Sequence, residues 1–267
     1  MSSSSTAPKE TVHAWNTGSL ASLYASVDRG LWPDEWHALG ASWPHIAGQP
    51  VLDIGIGAGR TTNYLLPVAG SYVGIDISPA MLAQAKERFP QADLRLGDAR
   101  QLEFADHSFS LVLFSFNGID YIEPADRPRV LREVHRVLRP GGVFVFSSHN
   151  RLVQADTPPP FKAPPVWPTS NPLRRLVRGM RGRAARDRAL ANYRRLESQQ
   201  WVRPEIAWIN DSAYESAFLT CHITPAEQIR QLREAGFADV DLVLDTLGRR
   251  ADVDTRDRFF YVRALRD

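Results

Sequence analysis

Val51-Leu52-Asp53-Ile54-Gly55-Ile56-Gly57-Ala58-Gly59-Arg60-Thr61-Thr62 is the stretch from which the fold can be read. An apolar run ends in three glycines spaced two residues apart, and a helix-compatible segment follows at once. This is the pattern of a buried parallel strand, a tight loop and a helix N-terminus. Glycine lets the loop turn sharply and lets a ligand lie against bare backbone. A helix starting there would direct unpaired N–H groups at whatever binds. A dinucleotide-binding loop needs G-x-G-x-x-G. Here Arg60 follows Gly59, so the third glycine falls one place early, and Asp53 stands two residues before the first.

Outward from this stretch, strand and helix patterns alternate, as in a parallel sheet. Strands are expected over 51–54, 71–75, 93–96, 109–114 and 143–147, with helices over 60–68, 78–88 and 126–138 between them. Pro79 suits a first helical turn, and Leu131, Val134 and Leu138 share one helix face. The strand over 109–114 is apolar throughout and therefore central. Past residue 150 the rhythm breaks. Asp156–Pro172 holds seven prolines and reads as an extended loop. Leu173–Gln200 is helical and carries nine arginines against Asp187 and Glu197. Trp201–His222 reads as two extended segments around the turn signal Asn210-Asp211-Ser212. Thr224-Pro225-Ala226-Glu227 then caps a helix, Gly236 stops it, and two last strands follow over 240–244 and 259–264.

Before the sheet, residues 1–10 are Ser-rich and expected to be disordered. Residues 11–46 are helical and aromatic, with Trp15, Tyr24, Trp32, Trp36 and Trp43 and a break at Trp32-Pro33. These aromatics read either as core packing or as a cap over a cleft, with Tyr24 and Trp15 the candidates to reach a ligand.

Composition narrows the function classes. The 267 residues are 43% apolar, ordinary for a globular protein with a sizeable core. Cys221 is the single cysteine, so no internal disulfide and no cysteine-rich metal site can form, and a reducing cytoplasm is the natural setting. No run of eighteen apolar residues occurs, and the first ten residues have no hydrophobic signal core, so neither membrane nor export is expected. The net charge of +2 by itself says nothing about nucleic acid. Three of the 32 basic residues are lysines, a bias that codon usage accounts for.

In an open parallel sheet, ligands bind at the carboxyl ends of the strands. Asp76 closes the second strand about twenty residues past the glycines, where a carboxylate accepts hydrogen bonds from a ribose diol. With Asp53, the glycine spacing, Asp76-Ile77-Ser78-Pro79, Asp98-Ala99 and Arg139-Pro140-Gly141-Gly142 in that order, the chain resembles the class I S-adenosylmethionine (SAM)-dependent methyltransferases. Within them it resembles bacterial enzymes that act on small molecules. The resemblance covers residues 49–150 well and 223–267 in outline. It implies an α/β fold: a Rossmann-like, seven-stranded, mostly parallel sheet flanked by helices, its last strand antiparallel. An N-terminal cap (1–48), a SAM-binding core (49–150), an inserted Pro/Arg-rich lid (151–222) and a C-terminal completion of the sheet (223–267) are the expected units.

The resemblance also assigns residues. Gly55, Gly57 and Gly59, with Asp53 and Arg60, would hold the methionine end of SAM, Asp76 with Ile77 the ribose, and Asp98 with Ala99 the adenine. The loop Ser115–Tyr121 would face the methionine half and the acceptor, with Phe116 or Tyr121 near the positive sulfur. Asn117 and Tyr121 are candidates to orient an acceptor. His149, after the fifth strand, is the best-placed base and is needed only if the nucleophile arrives protonated. No metal is demanded. The expected reaction is methyl transfer to oxygen or nitrogen of a small molecule, leaving S-adenosylhomocysteine. Two rival readings stay open: an RNA methyltransferase using the arginine-rich segment, which phosphate binding would make salt-sensitive, and a non-catalytic SAM-binding module.

Overall fold

The computed structural model describes residues 30–163, 172–210, 212–245, 247 and 249–267. Trp15, Tyr24 and Asp211 lie outside the described residues. The first described helix, α1 (Pro33–Ala41), starts where Trp32-Pro33 foretold a break. Then come β1 (Pro50–Ile54), α2 (Thr62–Leu65), β2 (Ser71–Asp76), α3 (Pro79–Arg88), β3 (Asp93–Leu96) and β4 (Phe109–Phe114). They are followed by α4 (Arg127–Val137), β5 (Leu138–Asn150), α5 (Pro172–Leu196), β6 (Trp201–Val202), β7 (Ile206–Asn210) and β8 (Leu219–Ile223). The chain ends with α6 (Pro225–Glu234), β9 (Phe237–Leu244) and β10 (Phe259–Arg266).

All the strands join one sheet. Its main body has the order β3-β2-β1-β4-β5-β10-β9. Pairs from β3 to β5 are parallel, while β10 runs antiparallel to both β5 and β9. This is the expected Rossmann-like arrangement with an antiparallel last strand. Every residue of β4 is buried, as its unbroken apolar run requires of a central strand. The two sheet faces bury separate cores, one around Phe144, Phe146, Leu131 and Phe237, the other around Val51, Leu111, Val145 and Leu39.

The sheet is larger than the seven expected strands, because the extended segments of the insertion join it. β6, β7 and β8 form an antiparallel ribbon, and β8 pairs in parallel with the end of β5 through His149↔His222 and Asn150↔Ile223. The turn between β7 and β8 is longer than Asn210-Asp211-Ser212 alone. Asn210 supports it from within, its Nδ2 donating to the carbonyls of Ser216 at 3.0 Å and Phe218 at 3.1 Å.

Two local expectations need correction. The segment after the glycines is a four-residue helix rather than one over 60–68. Pro67 has no N–H to continue the ladder, and residues 57–61 are spent in turns. The dipole of a long helix is therefore not what lies behind this loop. The tryptophans around α1 are not core residues either: Trp32, Trp36 and Trp43 are 41%, 55% and 50% exposed. Among the described residues no helix is long and apolar enough to cross a membrane.

The helix ends follow their local chemistry. Ser78 Oγ accepts from Met81 N–H at 3.2 Å to start α3 behind Pro79, and Thr224 Oγ1 accepts from Glu227 N–H at 3.2 Å to start α6. Parallel pairing places the carboxyl ends of β1, β2, β4 and β5 along one edge of the sheet, and the candidate site lies there.

Candidate active site

The glycine loop is left-handed backbone of the kind that favours glycine. Gly55, Gly57 and Gly59 have φ of +67°, +56° and +86°. A Cβ on Gly55 would stand 2.8 Å from Phe114 Cε2, and one on Gly59 would stand 2.6 Å from Phe89 Cε2. The loop is tied to β2 by Asp76, whose Oδ2 accepts from Gly57 N–H at 2.8 Å while Oδ1 accepts from Ser78 N–H at 2.8 Å. Burial raises the Asp76 pKa, and these N–H bonds, with that of Ile77, pull against it. Each oxygen keeps a lone pair in excess of these bonds.

Asp53 lies beneath the loop, 1% exposed. Its Oδ2 accepts from Thr61 Oγ1 at 2.6 Å and Tyr72 OH at 2.9 Å, while Oδ1 has no partner among the described residues. Burial pushes its pKa up to about 7 against those two hydrogen bonds. The left-handed glycine backbone and Asp76, the acidic residue closing β2 against it, fit a bound adenosyl group. The site would be held by Gly55–Gly59 on one side and Asp76 on the other.

Asp98 is drawn into a charged cluster. The Arg100 guanidinium reaches it through Nε at 3.1 Å and Nη2 at 2.7 Å and reaches Asp126 through Nη1 at 2.8 Å. Burial raises the Asp98 pKa, but the Arg100 bonds outweigh it and hold the carboxyl below its ordinary value. Ala99 is buried beside it.

Arg60 turns toward the N-terminal segment. Its guanidinium grips Glu35 of α1, 2.6 Å and 2.8 Å for the two contacts, and lies 5.1 Å above the Phe116 ring. Glu35 is fully buried. Ser115 Oγ donates to Glu35 and shares a 3.0 Å hydrogen bond with Tyr261 OH. Phe116, placed by sequence near a sulfonium, thus already carries a cation over its ring. Glu35, Ser115 and Tyr261 escaped the sequence reading. Ser115 stands at a strand end and was within reach of that rule, whereas nothing local marks Glu35.

At the ends of β4 and β5 a second cluster forms. Asp120 Oδ2 accepts from both the backbone N–H of His149 at 2.6 Å and its ring Nδ1 at 2.8 Å. Asp120 Oδ1 accepts from Ser148 Oγ at 2.5 Å and Arg127 Nη1 at 2.9 Å. Asp120 and Arg127 are fully buried. Burial raises the Asp120 pKa, but the His149 bond and the Arg127 charge outweigh it and keep the carboxyl below its ordinary value. The carboxylate facing Nδ1 favours the tautomer that carries its proton there, and Nε2 lies 3.5 Å from Asn117 Nδ2. Asn117 has a left-handed φ of +57° and is held by Ser147 Oγ accepting from its N–H at 2.8 Å.

The structure therefore brings Asn117 and His149 together. Tyr121 does not join them: its ring packs edge-on against Phe218 at 5.2 Å, in a separate apolar cluster. His222 was missed. The β5–β8 register sets its ring beside His149, centroids 4.7 Å apart. Burial, with the neighbouring His149 as a smaller cause, pushes the His222 pKa down to about 3.

Both histidines line a cavity of about 330 Å³ roofed by Phe161 of the proline-rich segment and Tyr193 of α5. Their rings meet edge-to-face at 5.7 Å, and Tyr193 OH donates to Pro159 O at 3.0 Å. Among the described residues no group of His, Cys, Asp and Glu is arranged to hold a metal ion.

Residues 51–142 match the family model of a methyltransferase domain. The chain is 39% identical over 104 residues to an uncharacterized methyltransferase of Synechocystis sp., covering 39% of this chain and 49% of that protein. It is 38% identical over 102 residues to a demethylmenaquinone methyltransferase of Renibacterium salmoninarum, covering 38% of this chain and 42% of that one. The chain thus spans half or less of the length of these curated relatives. A SAM-dependent methyltransferase structure from Mesorhizobium loti aligns with 87% of this chain and 98% of its own, with a TM-score of 0.59 and 24% identity, a likeness of fold. Residues 51–142 are thus similar to a methyltransferase domain, within a fold shared with a SAM-dependent methyltransferase.

Proposed function

We propose that the protein is a SAM-dependent methyltransferase that methylates an oxygen or nitrogen of a small molecule, with the Asp120–His149 pair favouring a hydroxyl. The observation that carries this reading is the pair itself. A buried carboxylate holds His149 with its Nε2 lone pair free of a carboxylate, on the wall of a cavity of small-molecule size. The demethylmenaquinone methyltransferase among the relatives, named for a small-molecule acceptor, is in keeping with it.

When bound, SAM supplies a methyl group on a sulfonium that leaves as a neutral thioether. The chain's own residues do the rest. Gly55, Gly57 and Gly59 hold the methionine end against bare backbone, Asp76 with Ile77 takes the ribose, and Asp98 with Ala99 takes the adenine. Asp53 and Arg60 support the loop from beneath and from the cap. His149 Nε2 accepts the proton of the acceptor hydroxyl as oxygen becomes the nucleophile. Asp120 keeps the ring in the required tautomer and balances the imidazolium that forms. Asn117 positions the ring and the acceptor. Phe161 and Tyr193 of the described part of the insertion cover the acceptor, and closing the site excludes water from the transfer. No step asks for a metal, a membrane or a nucleic acid.

The test is a calorimetric titration with SAM, S-adenosylhomocysteine and NADH, followed by a metabolite screen with a methyl-transfer readout. Binding of both adenosyl compounds but not NADH, with transfer to a small acceptor, supports the reading. A folded protein that binds neither adenosyl compound overturns it. Affinity for RNA that falls steeply with salt, together with RNA methylation, would move the assignment to the arginine-rich helix.

A further inference from the structure

The cavity beside His149 has a charge pattern that the methyl transfer itself does not require. Lys162 and Arg258 line it together with His149 and His222, and no carboxylate lines it among the described residues. No ion pair engages either cation among the described residues; the Arg258 guanidinium lies 5.9 Å over the Phe259 ring. The nearest carboxylate to the histidines, Asp120, is buried against His149 Nδ1, paired with Arg127 and absent from the cavity lining.

Deeper in, the His222 ring is buried and bonded to Thr220 Oγ1 through Nε2 at 3.2 Å, while its Nδ1 has no partner among the described residues. A buried polar atom without a partner costs free energy that a polar ligand can recover. The two exposed cations select for a negatively charged molecule, and the imidazoles and the aromatic rings of Phe161 and Tyr193 lining the same cavity suit a compact one.

Resting on the methyltransferase reading, we infer that the acceptor is an anionic hydroxy compound. Its carboxylate or phosphate sits at Lys162 and Arg258, and its hydroxyl is directed to His149. Binding the charged end at the cavity mouth fixes which hydroxyl meets Nε2, so the same contacts give affinity and regiochemistry. A cavity of about 330 Å³ suits a molecule of one ring or its equivalent.

The experiment titrates the full chain, saturated with S-adenosylhomocysteine, with paired probes. Hydroxybenzoates and hydroxycinnamates are each compared with the neutral amide, and hydroxyaryl phosphates with the neutral dimethyl ester. The anion of at least one pair is expected to bind about tenfold tighter than its neutral partner, a difference of about 1.4 kcal/mol. In the Lys162→Met, Arg258→Met double variant that preference is expected to vanish, with S-adenosylhomocysteine affinity and thermal midpoint unchanged.

If no anion outbinds its neutral partner, or if the preference survives in the double variant, the inference is overturned. A carboxylate-only or phosphate-only preference supports it and identifies the anion. The two readings fail separately: loss of S-adenosylhomocysteine binding in the parent protein would sink the methyltransferase reading. Methyl transfer to neutral acceptors only would sink the anion and leave the methyltransferase standing.

Discussion

Arg60 holds Glu35 with both of its terminal nitrogens, at 2.6 Å and 2.8 Å, across 25 residues of sequence. One residue ends the glycine loop and the other belongs to the helix that precedes the sheet. The contact clamps α1 over the loop, and Ser115 at the end of β4 shares the same carboxylate.

Glu35→Ala leaves the Arg60 guanidinium, 12% exposed, without its buried counter-charge. Breaking one side of a buried pair costs about 3–5 kcal/mol, so the unfolding free energy should fall by that amount and the urea midpoint should fall with it. S-adenosylhomocysteine affinity should fall with it, because the loop loses its clamp. An unchanged midpoint would show that the pair contributes nothing net.

Asp120→Asn removes the charge that orients and balances His149 while keeping its shape. The expected result is a fall in kcat of about 100-fold, with S-adenosylhomocysteine affinity unchanged. His149→Ala should lose at least as much, and the double variant little more, since the two act as a unit. Additive losses in the double variant would separate the two roles.

Asp76→Ala deprives the ribose position of its acceptor and also frees the N–H groups of Gly57 and Ser78. Calorimetry should show SAM binding weakened by about 1–3 kcal/mol, the cost of stranding hydrogen-bonding groups. Affinity equal to the parent's would refute the ribose assignment.

Asp53 is protonated more readily in the folded chain than in the unfolded one, because burial pushes its pKa from 3.8 to about 7. Between these values the folded state binds more protons, so this group makes stability fall as pH rises through that window. The contribution is on the order of a few kcal/mol at the alkaline end. Asp53→Asn should flatten the pH dependence of unfolding free energy between about pH 4 and 7. An unaltered slope would mean that Asp53 ionises in the folded chain at its ordinary pH.

Much of this protein is legible one segment at a time. The glycine spacing, the apolar run of β4, the Ser78-Pro79 and Thr224-Pro225 helix starts and the acidic residues closing β2 and β3 are local patterns. Backbone sterics and strand burial read them without knowing what lies opposite. The length of α2 was misjudged for an equally local reason, the missing N–H of Pro67. Sequence alone also pointed to Asn117 and His149, because both stand at strand ends where an open parallel sheet binds its ligands.

What sequence alone determined is therefore the order of the elements, the loop and the edge of the sheet at which chemistry takes place. Tertiary structure alone decided the partners. Glu35 meets Arg60 because α1 packs over β10 and the glycine loop, and nothing in its own segment marks it. Asp120 becomes the holder of His149 only when β4 and β5 lie side by side. His222 reaches His149 only through the two-residue register between β5 and β8. The cavity is built from separate segments spread between His149 and Arg258, so its charge exists only after folding. Periodicity records which face of an element is buried. It does not record which distant charge or lone pair will be brought within 3 Å, since that is set by strand register and loop closure rather than by local propensity.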